Sequence, residues 1–338
     1  MDQQLAPPAA AGDPAPDLPP DRPRAIRALP TAGDRVFRGV LRGAGSAVLV
    51  VMGLIAAFLV YRAGTAIKAT GWGFLTTQDW TPGTHRFGVG SMLPNGILIA
   101  VIALLIAVPV SLAAALYISE YAPERLRRPL ISLVDLMAAV PSIVYGLWGL
   151  FFLQPALLGT LAWVSRHLGF LPFLTVRFGD AATSYTSSTL IAGVVVSLMV
   201  IPIVTSLSRE VFSQAPQGER EGAHALGGTR WGMIRTVVLP FGRGGVIGAV
   251  MLGFGRAMGE TIAVALIISP VYTVAWHVLE RGGNSIPAMI ALRYSEAGDF
   301  NLSALMAAGL VLFLVTLVVN VLASVVISRS RSGAVTAD

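Results

Sequence analysis

The run EREGAHALGGTRWGMIRTVVLPFGRGGVIGAVMLGFGRAMGET, Glu219 to Thr261, decides how this chain is built. Its first half is polar and broken by glycine. Its second half is an apolar, helix-length segment that carries Arg256 and Glu260. Pro240 stands between them, unable to continue a preceding helix without losing a hydrogen bond but well suited to open the next one. The stretch reads as a loop outside a membrane leading into a charged membrane helix.

The rest of the chain agrees. Of 338 residues, 54% are hydrophobic and 12% charged, with a mean hydropathy of +0.72; soluble proteins carry roughly 25% charged residues. Runs of about 20 apolar residues read as spanning helices. Six occur, near 44–66, 95–118, 131–156, 188–208, 243–268 and 302–327, giving an all-α membrane protein. There are no cysteines, which excludes disulfides and thiolate chemistry. The net charge of +6 would point to nucleic acid in a soluble chain. Here its distribution decides, and no nucleic-acid partner is expected. Sixteen Arg and Lys residues fall in the N-terminal tail, the second and fourth loops and the C-terminus, against seven on the other side. The positive-inside rule then puts both termini and the Glu221 loop in the cytoplasm. The only lysine, Lys68, lies in GTAIKAT and not in a phosphate-binding G-x-x-x-x-G-K-[ST] loop, so this chain is not expected to hydrolyse ATP.

Residues 1–40 form a Pro/Ala-rich tail, with eight prolines in the first thirty positions, expected to be disordered and cytoplasmic. The membrane-spanning body is expected over 41–328, with its cytoplasmic loop at about 210–240 and a short tail over 329–338. Trp72, Phe74, Trp80 and Phe87 read as an interfacial aromatic belt or as contacts for an outside partner. Pro109, Pro141 and Pro202 interrupt the second, third and fourth spans. Such prolines kink helices for packing or mark a transport path. Asp135 is expected to cap its helix or to pair with Arg127 or Arg128. The outer loop at 157–187 is half apolar and fits an interfacial segment or a contact for a delivered protein. The four histidines show no metal-ligand spacing, so no metal site is expected. Gly253, Gly255 and Gly259 suit close helix packing better than a dinucleotide loop.

Arg256 and Glu260 ask for a function. An arginine at the bilayer centre costs about 2.5–3.5 kcal/mol on insertion scales. One helical turn separates the two residues, so their side chains are expected to meet. They are either a structural bridge or a cationic site that an anion passes, with Glu260 limiting how tightly it is held.

Glu221, Gly222, Ala223, Gly227, Val237, Leu239 and Pro240 resemble the signature E-A-A-x3-G-x9-I-x-L-P of ABC importer membrane subunits, with Gly222 for the second-position alanine and Val237 for isoleucine. GRAMGETIAV, AAVPSIVYG and ISEYAP are similar to the permeases of the phosphate-specific ABC importer, over about residues 40–327. The outer segment with Trp80, Pro82, Phe87 and Gly88 resembles the PstC type more than the PstA type. The resemblance implies a type I importer permease fold in a bacterial cytoplasmic (inner) membrane. It implies a PstA-type partner permease, two ATP-binding subunits holding ATP and Mg, and an extracytoplasmic phosphate-binding protein, with membrane lipid around the spans. It implies docking of the Glu221 loop on an ATPase and passage of phosphate along Arg256 and Glu260. No cofactor is expected on this chain itself. Sulfate and molybdate permeases share an R-A-x-G-E run, so another oxyanion is the alternative substrate. An ion-coupled carrier would account for the spans and charges but not for the loop; a hydrolase lacks a base near Ser142.

Overall fold

The computed structural model describes residues 32–177 and 182–331. The chain divides into two compact units, Met1–Gly53 and Leu54–Asp338. In the first, the described residues 32–53 are the leading part of helix α1 (Ala32–Thr70), all of them exposed.

The remaining elements belong to the second unit. They are α2 (Gly73–Thr76), a hairpin of β1 (Trp80–Thr81) and β2 (Arg86–Phe87), α3 (Met92–Leu116), α4 (Glu124–Ala139), α5 (Ser142–Trp148), α6 (Gln154–Leu168) and α7 (Thr189–Ser213). Then follow α8 (Gln217–Ala225), α9 (Arg230–Met233), α10 (Leu239–Met258), α11 (Ile262–Ile267), α12 (Ile286–Arg293) and α13 (Asp299–Arg331). Among the described residues, six helical stretches are long and apolar enough to cross a membrane: Ala32–Thr70, Met92–Tyr121, Ser142–Leu168, Thr189–Ser213, Arg230–Met258 and Asp299–Val325.

Four boundaries differ from the sequence reading. The expected tail over 1–40 lies outside the described residues as far as 31, and residues 32–40 are already helical. The expected C-terminal tail is helical through Arg331, with 332–338 outside the described residues. The third span is 142–168 and not 131–156, because the chain breaks at Val140 and Pro141. Most of the first part of the supposed outer loop, through Leu168, is therefore the end of that span.

Among the described residues, π-helical turns lie within spans at Gly149–Leu153 and Ile234–Val238, and another, Tyr117–Tyr121, ends the span that begins at Met92. Each ends just before a proline, Pro123, Pro155 and Pro240 respectively. Where the helix runs on past the proline, as at Pro155 and Pro240, the cause is steric. A proline has no N–H to donate and its ring strikes the carbonyl four residues back; a wider turn moves that carbonyl aside and changes which group it must bond. Pro240 therefore opens α10 without ending the helix before it.

The core is centred on α3 and α7, the most extensively packed pair in the molecule, with α10 laid against both. Gly253 permits this approach, since a Cβ there would come within 2.9 Å of Val200 Cγ1 and 3.0 Å of Val204 Cγ2. A second cluster joins Ala63 and Ala66 to α12 and α13 through Phe74, Phe87 and Met92. The aromatic belt is thereby corrected. Phe74 and Phe87 are buried and stack edge to face with one another, while Trp72 alone of the four is 88% exposed. Returning through the hairpin, the chain brings Phe87 inward opposite Trp80.

Candidate functional site

The polar half of the 219–261 stretch is a short helix standing off the bundle. No residue of α8 is buried, and Glu221, Gly222, His224, Ala225, Leu226 and Gly227 are exposed. Glu221 accepts a hydrogen bond from Gln217 at 2.9 Å on that outer face. The helix ends in a Schellman turn: Gly228 N donates to Ala223 O at 3.0 Å and Gly227 N to His224 O at 2.9 Å. Gly227 has φ 79°, a left-handed conformation that glycine adopts freely. Thr229 then caps α9, accepting from Gly232 N at 3.1 Å. Ala223 and Leu239 face inward, half-buried on Ala115, Phe212, Met233, Ile234 and Val238. Leu226 points the other way and is 91% exposed.

Arg220 fastens this helix. Its Nη1 donates to both carboxylate oxygens of Glu120, at 2.9 and 2.8 Å, its Nε to Ala215 O at 3.2 Å, and its Nη2 to Phe212 O. The Glu120 side chain is 4% exposed. The pair is not foreseen from sequence, although Glu120 lies in ISEYAP. A buried carboxylate needs a cation, and the glutamate in that apolar run was the available signal.

The charged helix does not hold the expected pair. α10 ends at Met258, with Gly259 as its C-cap, and α11 begins at Ile262. With the backbone broken between them, Arg256 and Glu260 form no ion pair. Glu260, 7% exposed, turns its Oε1 to accept from Ala263 N at 3.2 Å, satisfying one of the free amides of α11. Arg256 is exposed on the last turn of α10 and has no hydrogen-bond or salt-bridge partner among the described residues. This placement suits a guanidinium to a ligand from outside the chain, and the helix C-terminus favours its charge.

Of the three expected kinks, Pro109 and Pro202 lie inside uninterrupted α3 and α7, and Ser111 links these helices by donating to Ile201 O at 3.0 Å. Pro141 is the N-cap of α5, where Tyr145 Oη spans the break to Met137 O at 2.9 Å. Asp135 neither caps nor pairs with Arg127 or Arg128; it accepts from Ser206 Oγ at 3.2 Å, joining α4 to α7. No group of His, Asp and Glu able to hold a metal comes together among the described residues. His85 packs on Phe300, His167 on Trp163, and His277 bonds Thr175. A cleft of about 540 Å³ opens among the loops at Arg177, His277, Glu280 and Arg281, and Arg256 is not part of its lining.

A family described as "Binding-protein-dependent transport system inner membrane component" matches residues 107–332. The chain is 40% identical over 306 residues to the phosphate transport system permease protein PstC 2 of Mycobacterium tuberculosis (strain ATCC 25618 / H37Rv), covering 89% of this chain and 94% of that one. It is 38% identical over 297 residues to the phosphate transport system permease protein PstC of Xylella fastidiosa (strain 9a5c), covering 88% and 91%. Among solved structures it is similar to a bacterial ABC transporter involved in the import of the acidic polysaccharide alginate. There the TM-score is 0.50 at 15% identity, over 87% of this chain and 99% of that one, a likeness of fold alone: that of type I ABC importer permeases.

Proposed function

This chain belongs to the family of binding-protein-dependent transport system inner membrane components, and from that premise we propose that it is the PstC-type permease subunit of a phosphate importer. It is a multi-pass membrane protein and a transport subunit. In the proposed assembly it pairs with a PstA-type permease, two ATPase subunits that hold ATP and Mg, and an extracytoplasmic binding protein that delivers inorganic phosphate. Both termini face the cytoplasm of a bacterial cell with the assembly in its inner membrane, as the distribution of arginine implies. α8 is the surface on which an ATPase seats, with Glu221 and Leu226 outermost.

Arg256, exposed at the break in the fifth span and without a partner among the described residues, carries the reading. Phosphate entering a low-dielectric path loses hydration, and a guanidinium replaces it with a planar fork of donors matched to phosphate oxygens. Glu260 is occupied by α11, so it shapes the break and leaves Arg256 free for the anion. Closure of the ATPases would displace α8 and open the spans to the side from which phosphate comes.

The test is uptake into vesicles holding the complete complex, purified through a tag on this chain. ATP-dependent accumulation of radiolabelled phosphate, undiminished by excess sulfate or molybdate, is the expected result. Uptake abolished by either competitor would move the substrate to another oxyanion; uptake that follows an ion gradient without ATP would sink the importer reading.

A further inference from the structure

α8 is attached to the bundle by little. It buries no residue of its own, yet any movement of it must reach the spans to be of use. Two arginines, one on each side of the Gly227–Gly228 turn, reach the same short element. Arg220 bonds Glu120 through both carboxylate oxygens. Arg230 lies over the ring of Tyr121, 5.3 Å from its centroid. Glu120 and Tyr121 are adjacent and close the π-turn Tyr117–Tyr121, which continues α3.

We propose that this π-turn is the receiver of the coupling motion, gripped at Glu120 and Tyr121 so that displacement of α8 is passed to α3. Three observations make it fit. Its five-residue turn is already wider than an α-helical one, and turns of this kind occur frequently at functional sites. α3 packs along α7 more extensively than any other pair, and α7 carries the motion on to α10 and Arg256. Arg220 also holds the carbonyls of Phe212 and Ala215 at the end of α7, so a single side chain binds three elements at one point. Neither Glu120 nor Arg220 lies on the outer face of α8 with Glu221 and Leu226, so the grip is separate from the docking surface.

This inference rests on the reading of α8 as the ATPase seat. The experiment compares phosphate taken up per ATP hydrolysed in vesicles carrying equal amounts of complex. Glu120→Gln keeps size and removes charge; the ratio is expected to fall about tenfold, a coupling loss of ordinary size, with the ATPases still bound and hydrolysing. Glu120→Gln with Arg220→Gln is expected to fall no further, because the two residues form one link. Arg230→Ala, at an exposed position, is expected to lower the ratio about threefold. An unchanged ratio in Glu120→Gln overturns the proposal. So does loss of the ATPases from that variant, which would make the pair a support for docking. If Glu120→Gln fails to reach the membrane, Arg230→Ala decides: a lowered ratio supports the grip and an unchanged one overturns it. The unmodified complex separates the two readings. Absence of ATPases from it would defeat the docking assignment itself, whereas their presence with unchanged ratios defeats only the grip.

Discussion

Arg256 and Glu260 stand one turn apart in sequence and do not pair, whereas Arg220 and Glu120 stand 100 residues apart and meet at 2.8 and 2.9 Å. The i to i+4 rule presumes a helix that continues. Gly259 ends α10, so the rule has nothing to act along. The second pair needs no helical spacing; it arises because α8 lies back against the turn that ends α3, where a buried carboxylate must be met by a cation. The first arrangement leaves an arginine available, and the second consumes one. On the proposed function, the available arginine is the one that meets the anion, while the consumed one holds the protein together.

That contrast is open to direct attack. The largest effect is expected from Arg256→Gln, which removes the charge proposed to meet the anion: uptake falls by about a hundredfold, with the complex recovered intact by affinity purification. Adding Glu260→Gln restores nothing, since Glu260 serves α11. Recovery in the double variant would show that the two charges pair in the assembled transporter, and the contrast would collapse.

Next in size is Arg220→Ala. It strands Glu120, whose side chain is 4% exposed, and breaking a buried pair in this way costs about 3 kcal/mol. The thermal midpoint of the detergent-solubilised complex is expected to drop by several degrees, while Arg256→Ala leaves it in place. Equal shifts in the two variants would erase the distinction between a holding and a handling arginine.

Gly227→Ala probes the turn between the two gripping arginines. Its φ of 79° disfavours any Cβ by about 1–2 kcal/mol, although nothing stands within 4 Å to obstruct one. Retention of the ATPases on purification is expected to fall about fivefold; undiminished retention would mean the turn does not set the seat. Smallest is Glu260→Gln. The amide oxygen still accepts from Ala263 N, so uptake is expected to change by less than about twofold. A loss as large as that of Arg256→Gln would put the carboxylate itself in the path.

What was legible in the sequence is what depends on long averages or fixed spacing. Six spans follow from hydropathy summed over whole helices, and the loop from Glu221 to Pro240 from residues at set intervals, including a glycine that proves to need a positive φ. What was not legible depends on where a helix stops. Pro141 was expected to bend a span and instead begins one, because Val140 leaves the helix and the chain restarts at Ser142. Phe74 and Phe87 were placed at an interface and are buried, because a hairpin too short for a strand signal folds them in. Asp135 has its partner on another helix, Ser206, which local spacing cannot show.

The turn at Ile234–Val238 has a geometric consequence for all that follows it. A π-turn holds one residue more than an α-turn, and one residue is about 100° of rotation. Every side chain from Leu239 onward is therefore dialled round the axis relative to α9, Arg256 among them. The compass bearing of the arginine is thus set about twenty residues upstream, in the turn that joins α9 to α10. A deletion of one residue in that turn would leave the composition of the span almost unaltered and aim its charge elsewhere.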